Sequence, residues 1–414
     1  MKRNSFRAAD RALAAAMVLL TVLLLLVPVA TAREFKLLYT FSGQDGEAPR
    51  SGLILDAAGN LYGTTFWGGT YGAGAVFKLT PNPDGTWSET VLYSFAGGSD
   101  GYNPWSTLLF DKSGDLYGTT MYGGAYGAGT VFELAPNDDG TWTKSVLHDF
   151  TGQDGSDPYA LTFDTAGTLY GTAGSGGAYG YGAIYTLTPQ PDGSWTQQVI
   201  HSFTGGKDGA YPFRDGSLTL DSAGNIYGTV PFGGPYGYGL VYELTPVTGG
   251  SWEEKVLHAF AARPGEWPVA RVIFDTAGNL YGTTSNAGGD GGGGNPAGVV
   301  FRLTPNLDGT WAYSIIYSFK GSPDGYDPAL GVAFDAAGNL WGTTVGGGTY
   351  GYGAIFGIGR GPGGKIKEVI LHSFTGGSDG WCPEGFVFDS AGNFYGVAAF
   401  SGAYGAGTVF EITP

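Results

Sequence analysis

Asp215, Glu266 and Glu384 each stand a few residues ahead of a short apolar run, in company with Arg50, Arg214, Trp67, Trp105, Trp267, Trp381, Tyr122 and Tyr159. Two carboxyl groups held roughly 5 to 9 Å apart can cleave a glycosidic bond, one as acid and the other as base or nucleophile. The aromatic rings offer a different chemistry. They stack on pyranose faces, while guanidinium and carboxylate groups bond sugar hydroxyls or uronates. Chain spacing supplies no distance between carboxylates, and 36 acidic residues make accidental pairs common. Ligand binding is therefore the leading reading for Arg50, Trp67, Trp105, Tyr122, Tyr159, Arg214, Trp267 and Trp381, with no catalytic residue expected. If the chain is an enzyme, its candidates are Asp215, Glu266 and Glu384.

Other reactive side chains read as structural. His148, His201, His258 and His372 occupy one recurring position, filled elsewhere by Tyr39, Tyr93 and Tyr317. A single substrate cannot use several equivalent positions, whereas packing can. No zinc-like spacing occurs, so no metal ligand is expected. The Asp of the "DG" loops (Asp45, Asp100, Asp154, Asp208, Asp324 and Asp379) reads as a turn former bonding its own backbone. A ring of these carboxylates is the one option for calcium; otherwise no cofactor is expected. "GAYGAG" runs from strand to strand, with no helix N-terminus to hold a phosphate, and "GK[ST]", "GxSxG" and "HExxH" are all absent. Cys382, the single cysteine, excludes an intramolecular disulfide and reads as a buried thiol.

The elements that position these residues are repeats. The phrase "FDxxGNLYGTT" places its Asp at Asp56, Asp111, Asp164, Asp221, Asp275, Asp335 and Asp389, giving seven units spaced 53 to 60 residues apart. Each unit reads as four short strands. In the second they are Ser106 to Asp111, Leu116 to Thr120, Gly129 to Ala135 and Trp142 to Phe150. Asp and Gly of "DxxGN" close the first hairpin, and "PDGTW"-type turns close the last, with Trp opening the return strand. Gly, at 77 of 414 residues, has no collagen period and belongs in such turns.

The mature chain opens on "EFKLLYTF", a fourth-strand element, and closes on "GTVFEITP", a third strand. What is missing at one end is present at the other. The expected fold is therefore all-β: a seven-bladed β-propeller over residues 33–414 with four antiparallel strands per blade. Its ring closes when the N-terminal strand completes the last blade. The units "NLYGTTFWGGTYGAGAVFKLTP" and "DLYGTTMYGGAYGAGTVFELAP" resemble the GloVer-type tandem repeat of exported bacterial proteins. That resemblance implies architecture and export, with no assigned reaction. Strand order sends the Gly- and Tyr-rich loops to one face and the tight hairpins to the other, so any site is expected on the loop face.

Lys2, Arg3, Arg7 and Arg11, the apolar stretch from Ala12 to Val27 and Ala30-Thr31-Ala32 read as a cleaved signal peptide over residues 1–32. Cleavage removes four basic residues and one acidic from 20 and 36, leaving a charge of −19. That charge repels nucleic acid and anionic lipid alike. We expect a secreted or periplasmic monomer, not inserted in membrane after cleavage. Its partner is expected to be an extracellular glycan or other cell-surface ligand, bound without catalysis. A polysaccharide hydrolase or lyase at the channel mouth, and a structural envelope protein, are the alternatives.

Overall fold

The computed structural model describes residues 34–212, 218–262, 265–286, 297–361 and 365–413. The leader read from residues 1–32 lies outside them, as do Arg214 and Asp215. In the first blade Ile54–Leu55, Leu61–Thr65, Ala75–Pro81 and Trp87–Ser94 pair antiparallel in chain order. Seven such four-stranded sheets build a seven-bladed β-propeller. Among the described residues no helix is long and apolar enough to cross a membrane. Glu34–Thr40 closes the ring. It pairs with Thr408–Thr413, outermost in a blade completed by Trp381–Phe388 and Phe394–Phe400.

Local chemistry sets the hairpins. Asp56 Oδ1 accepts the N–H groups of Ala58 and Asn60, both at 2.9 Å, while Gly59 takes φ 81°. The second turn works alike: Asp84 accepts the Thr86 N–H at 3.0 Å, and Pro81 faces Trp87 across the strand pair.

The first strand departs from expectation. In the second blade it divides into Tyr102–Pro104 and Leu109–Phe110, because Pro104 has no N–H to give and Asn103 turns left-handed at φ 57°. All seven blades repeat the left-handed step: Ala48, Asn103, Asp157, Tyr211, Trp267, Asp327 and Cys382 each precede a proline with φ between 53° and 59°. Such a conformation costs about 1–3 kcal/mol per residue. A hydrogen bond to the preceding blade offsets it, as from Asn103 to the Ala73 carbonyl at 2.9 Å or from Cys382 to that of Tyr352 at 3.1 Å.

The core lies between adjacent blades. Phe95, at the end of one fourth strand, is fully buried, donates its N–H to the Gly74 carbonyl at 3.0 Å and meets Phe132 of the next blade edge-on at 5.2 Å. Six equivalent pairs repeat this contact at 4.9 to 5.5 Å.

Candidate functional site

Loops after the second and fourth strands share one face and set two concentric rows of aromatic rings. The inner row follows from backbone pairing with the lead-in to the innermost strand. Trp67 and Glu47, for example, exchange N–H···O bonds at 2.8 and 2.9 Å. Trp67, Tyr102, Phe232, Trp267, Tyr326 and Trp381 lie along this rim, each 36–41% exposed. The outer row follows from tethering to the outermost strand, as where Ser94 Oγ accepts the Thr70 N–H at 3.3 Å. There Tyr71, Tyr126, Tyr179, Tyr236, Tyr350 and Tyr404 stand 59–71% exposed. These six tyrosines are the most prominent apolar surface of the face, and because they recur from unit to unit the sequence gives no reason to single them out.

Arg50 is the centre of the inner row. Its guanidinium carbon lies 5.6 Å from the ring centroids of Phe66 and of Trp67, 5.2 Å from Trp105 and 4.8 Å from Phe400. Rings at this range attract a cation by their quadrupoles but accept no full hydrogen bond from it. Buried Arg50 Nε has no acceptor, and among the described residues no carboxylate pairs with the guanidinium. Trp105 extends the cluster to Tyr159, edge-on at 5.8 Å, and Phe400 extends it to Trp381 at 5.2 Å. Arg50, Trp67, Trp105, Tyr159 and Trp381 thus form one connected patch over the first, second, third and last blades.

Other expected residues fall elsewhere. Trp267 joins Phe232 at 6.1 Å, and Tyr122 leans on Tyr102 at 5.5 Å. Tyr159 and Glu384 are buried, at 9% and 3% exposure. Buried Cys382 Sγ lies 3.4 Å from Glu384 Oε1. Glu266 belongs to the fifth blade, where it pairs with Asn286 through the backbone, and Glu384 to the seventh, so these two acids come from different sheets. On the opposite face a shallow groove between the first two blades is lined by Asp56, Tyr62, Phe110, Lys112 and Trp142.

The histidines and the DG-loop acids form a third arrangement, at the blade junctions. Asp45 accepts the Ser42 N–H at 2.8 Å, capping its own turn, and the Tyr39 hydroxyl at 2.5 Å. His148 bonds Asp154 at 2.8 Å and His372 bonds Asp379 at 3.1 Å in the same places. The next blade completes six of the seven junctions with the third residue of its outermost strand, namely Glu89, Lys144, Gln197, Glu254, Tyr313 or Glu368; that strand opens with Trp except in the sixth blade, where it opens with Ile366. Lys144 pairs with Asp100 at 2.9 Å, and Tyr313 stacks on His258 at 4.2 Å. Burial holds that imidazole down at about 4.

Burial and the neighbouring Asp45 push Glu89 from 4.5 up to about 7; burial and Asp324 do the same to Glu368. A carboxyl whose folded pKa is raised keeps its proton in the native state after the unfolded chain has lost it. Stability therefore falls as pH rises through the window from 4.5 to about 7. Glu89→Gln or Glu368→Gln is expected to gain about 1 kcal/mol at pH near 8, a figure reduced for solvent screening, and nothing at pH near 4. Thermal melts at both pH values check this, and a gain confined to the acid side would contradict it.

The comparisons with known proteins bear on the repeat. A model of the Gloeobacter/Verrucomicrobia repeat matches residues 26–219, 190–306 and 290–414. The chain belongs to this family. In this Gloeobacter/Verrucomicrobia repeat protein the matched span takes in all seven blades. Its fold is similar to the extracellular domain assigned to a hybrid two component system of B. thetaiotaomicron, with TM-score 0.54 and 12% identity over 91% of this chain. The present chain spans only 39% of that one. A gluconolactonase from Xanthomonas campestris aligns at TM-score 0.44 and 13% identity, over 92% of this chain and 89% of its own. At 12% identity the likeness to the extracellular domain is one of fold alone. No curated protein matches the chain.

Proposed function

We propose that this repeat protein is an exported, non-catalytic propeller that binds glycans on its loop face, with acidic sugars as the preferred ligands. The observation that carries the reading is Arg50, a guanidinium held among four aromatic rings with no carboxylate partner among the described residues. In a chain with 36 acidic residues, a cation with no carboxylate partner among the described residues is an available anion receptor. A uronate carboxylate can take its N–H fork while the sugar ring stacks on Trp67 or Trp105. The outer tyrosines repeat a second stacking surface from blade to blade, which suits a long polymer bound at several points. Export rests on the basic, apolar and small-residue sequence of the leader.

A polysaccharide array with residues 33–414, followed by mass spectrometry of every bound sugar, tests this. Retention of polyuronates over neutral glucans is expected, with chain lengths unchanged. Arg50→Gln should weaken polyuronate binding by roughly tenfold or more, the loss of a charge-assisted pair. Equal retention of neutral and acidic polymers, or indifference to Arg50→Gln, would sink the acidic-sugar reading. Shortened products would replace binding by hydrolysis or lysis.

A further inference from the structure

We infer that the junction between the third and fourth blades is a divalent-metal site, with His201, Asp208 and Glu254 as ligands and zinc as the ion that fits them best. The inference stands apart from glycan binding and rests on comparing the seven junctions of one chain. Elsewhere the DG-loop carboxylate has a protein partner: the Tyr39 or Tyr317 hydroxyl, the Lys144 ammonium, or the imidazole of His148 or His372. At the third junction an imidazole meets two carboxylates at once. His201 Nε2 lies 3.8 Å from Glu254 Oε2, beyond hydrogen-bond reach. Both Nε2 and Glu254 Oε1 are shut off from water and have no hydrogen-bond partner. Two ligand atoms on neighbouring side chains, each shielded from water and without a hydrogen-bond partner, are what a cation would join.

One ligand atom from each of the three residues lies within 4.8 Å of the others. Zinc at about 2.0–2.1 Å from tetrahedral ligands would draw them to about 3.4 Å apart. Asp208 is already oriented for it. Its oxygens accept the Thr204 N–H at 2.7 Å and the Thr204 hydroxyl at 2.5 Å, and each keeps a lone pair for the ion. One nitrogen and two oxygens suit zinc rather than calcium, which takes six to eight oxygens. The bound ion would tie the strand Trp195–Ser202 of one blade to Trp252–Ala259 of the next, leaving a fourth coordination position to water.

The test uses residues 33–414, stripped by chelator, dialysed against micromolar zinc at pH near 8 and analysed for metal. One zinc per chain is expected, with a raised melting temperature. Cobalt in its place should show the intense visible absorption of a tetrahedral site. His201→Gln and Glu254→Gln should each weaken binding on the order of a hundredfold, and His148→Gln should leave it unchanged. Absence of retained zinc, a weak octahedral cobalt spectrum, or retention that survives both ligand substitutions would overturn the assignment. The cobalt spectrum of the unaltered chain decides it even if a variant fails to fold.

Discussion

A chain beginning at Ser42, without the strand Glu34–Thr40 and Phe41, is expected to lose its cooperative fold and run as soluble oligomers or aggregate. Phe41 is fully buried against Phe77, Leu38 is 8% exposed, and Phe35 stacks on His372 at 3.9 Å and on Phe410 at 5.5 Å. Burying side chains of this size is worth about 1.5–3 kcal/mol each. With the lost strand pairing, the deletion removes on the order of 6–10 kcal/mol, against a total of about 5–15 for an ordinary domain. It also bares the edge of Thr408–Thr413, and an unpaired apolar edge recruits other chains. Nor can the first blade compensate, because the Ala48 N–H reaches across the seam to the Ala406 carbonyl at 2.9 Å. Circular dichroism melts and size-exclusion chromatography of the truncated chain measure the effect. A monomer melting within a few degrees of the intact protein would mean that the ring does not depend on this strand. Restoration by a synthetic peptide of residues 34–41 would identify strand pairing as the cause.

The ring is legible in the sequence because its signals are local and repeat. Asp and Gly of each "DxxGN" fix a hairpin within five residues, and the fourth-strand character of "EFKLLYTF" shows before any contact is known. The site is legible only in part, for a reason the Arg50 patch makes plain. Trp67 and Tyr122 stand out as large rings, yet Phe232 and Phe400 fill the same place in their own units, and Phe400 is the ring nearest Arg50. Comparing that repeat position across units, rather than following each loop, finds both. Nothing in the residue types reveals the left-handed turn at Asp157 and Cys382, two residues ahead of Tyr159 and Glu384. Partners at the blade junctions are hidden by distance. Asp208 and Glu254 are 46 residues apart, and only the radial order of blades brings them together. Recurrence sets the histidines aside as structural. That argument holds for a position, but the residue facing it changes from blade to blade.

The proline step also identifies a sensitive small substitution. A Cβ at Gly129 would lie 2.5 Å from Pro158 Cδ, 2.6 Å from the Thr120 carbonyl oxygen and 2.8 Å from that of Met121, and the residue has φ 97°. Two of these neighbours are backbone and the third is a ring fixed by its own left-handed predecessor, Asp157, so none can step aside. Gly127, two residues earlier, has φ 80°, but a methyl group there would meet no atom within 4 Å. The pair separates conformational strain from collision within one loop. Gly127→Ala should cost about 1–2 kcal/mol, the left-handed penalty alone. Gly129→Ala adds overpacking of about 1–3 kcal/mol, for a total of about 2–5 kcal/mol. Urea unfolding of both variants gives the difference directly. Because the equivalent glycines Gly74, Gly182, Gly298, Gly353 and Gly407 press on Pro104, Pro212, Pro328, Pro383 and Pro49 in the same way, the larger loss should recur at each. Equal costs at Gly127 and Gly129 would mean that the blades slide freely past this contact, and the radial order that assembles both the Arg50 patch and the His201 junction would need another source.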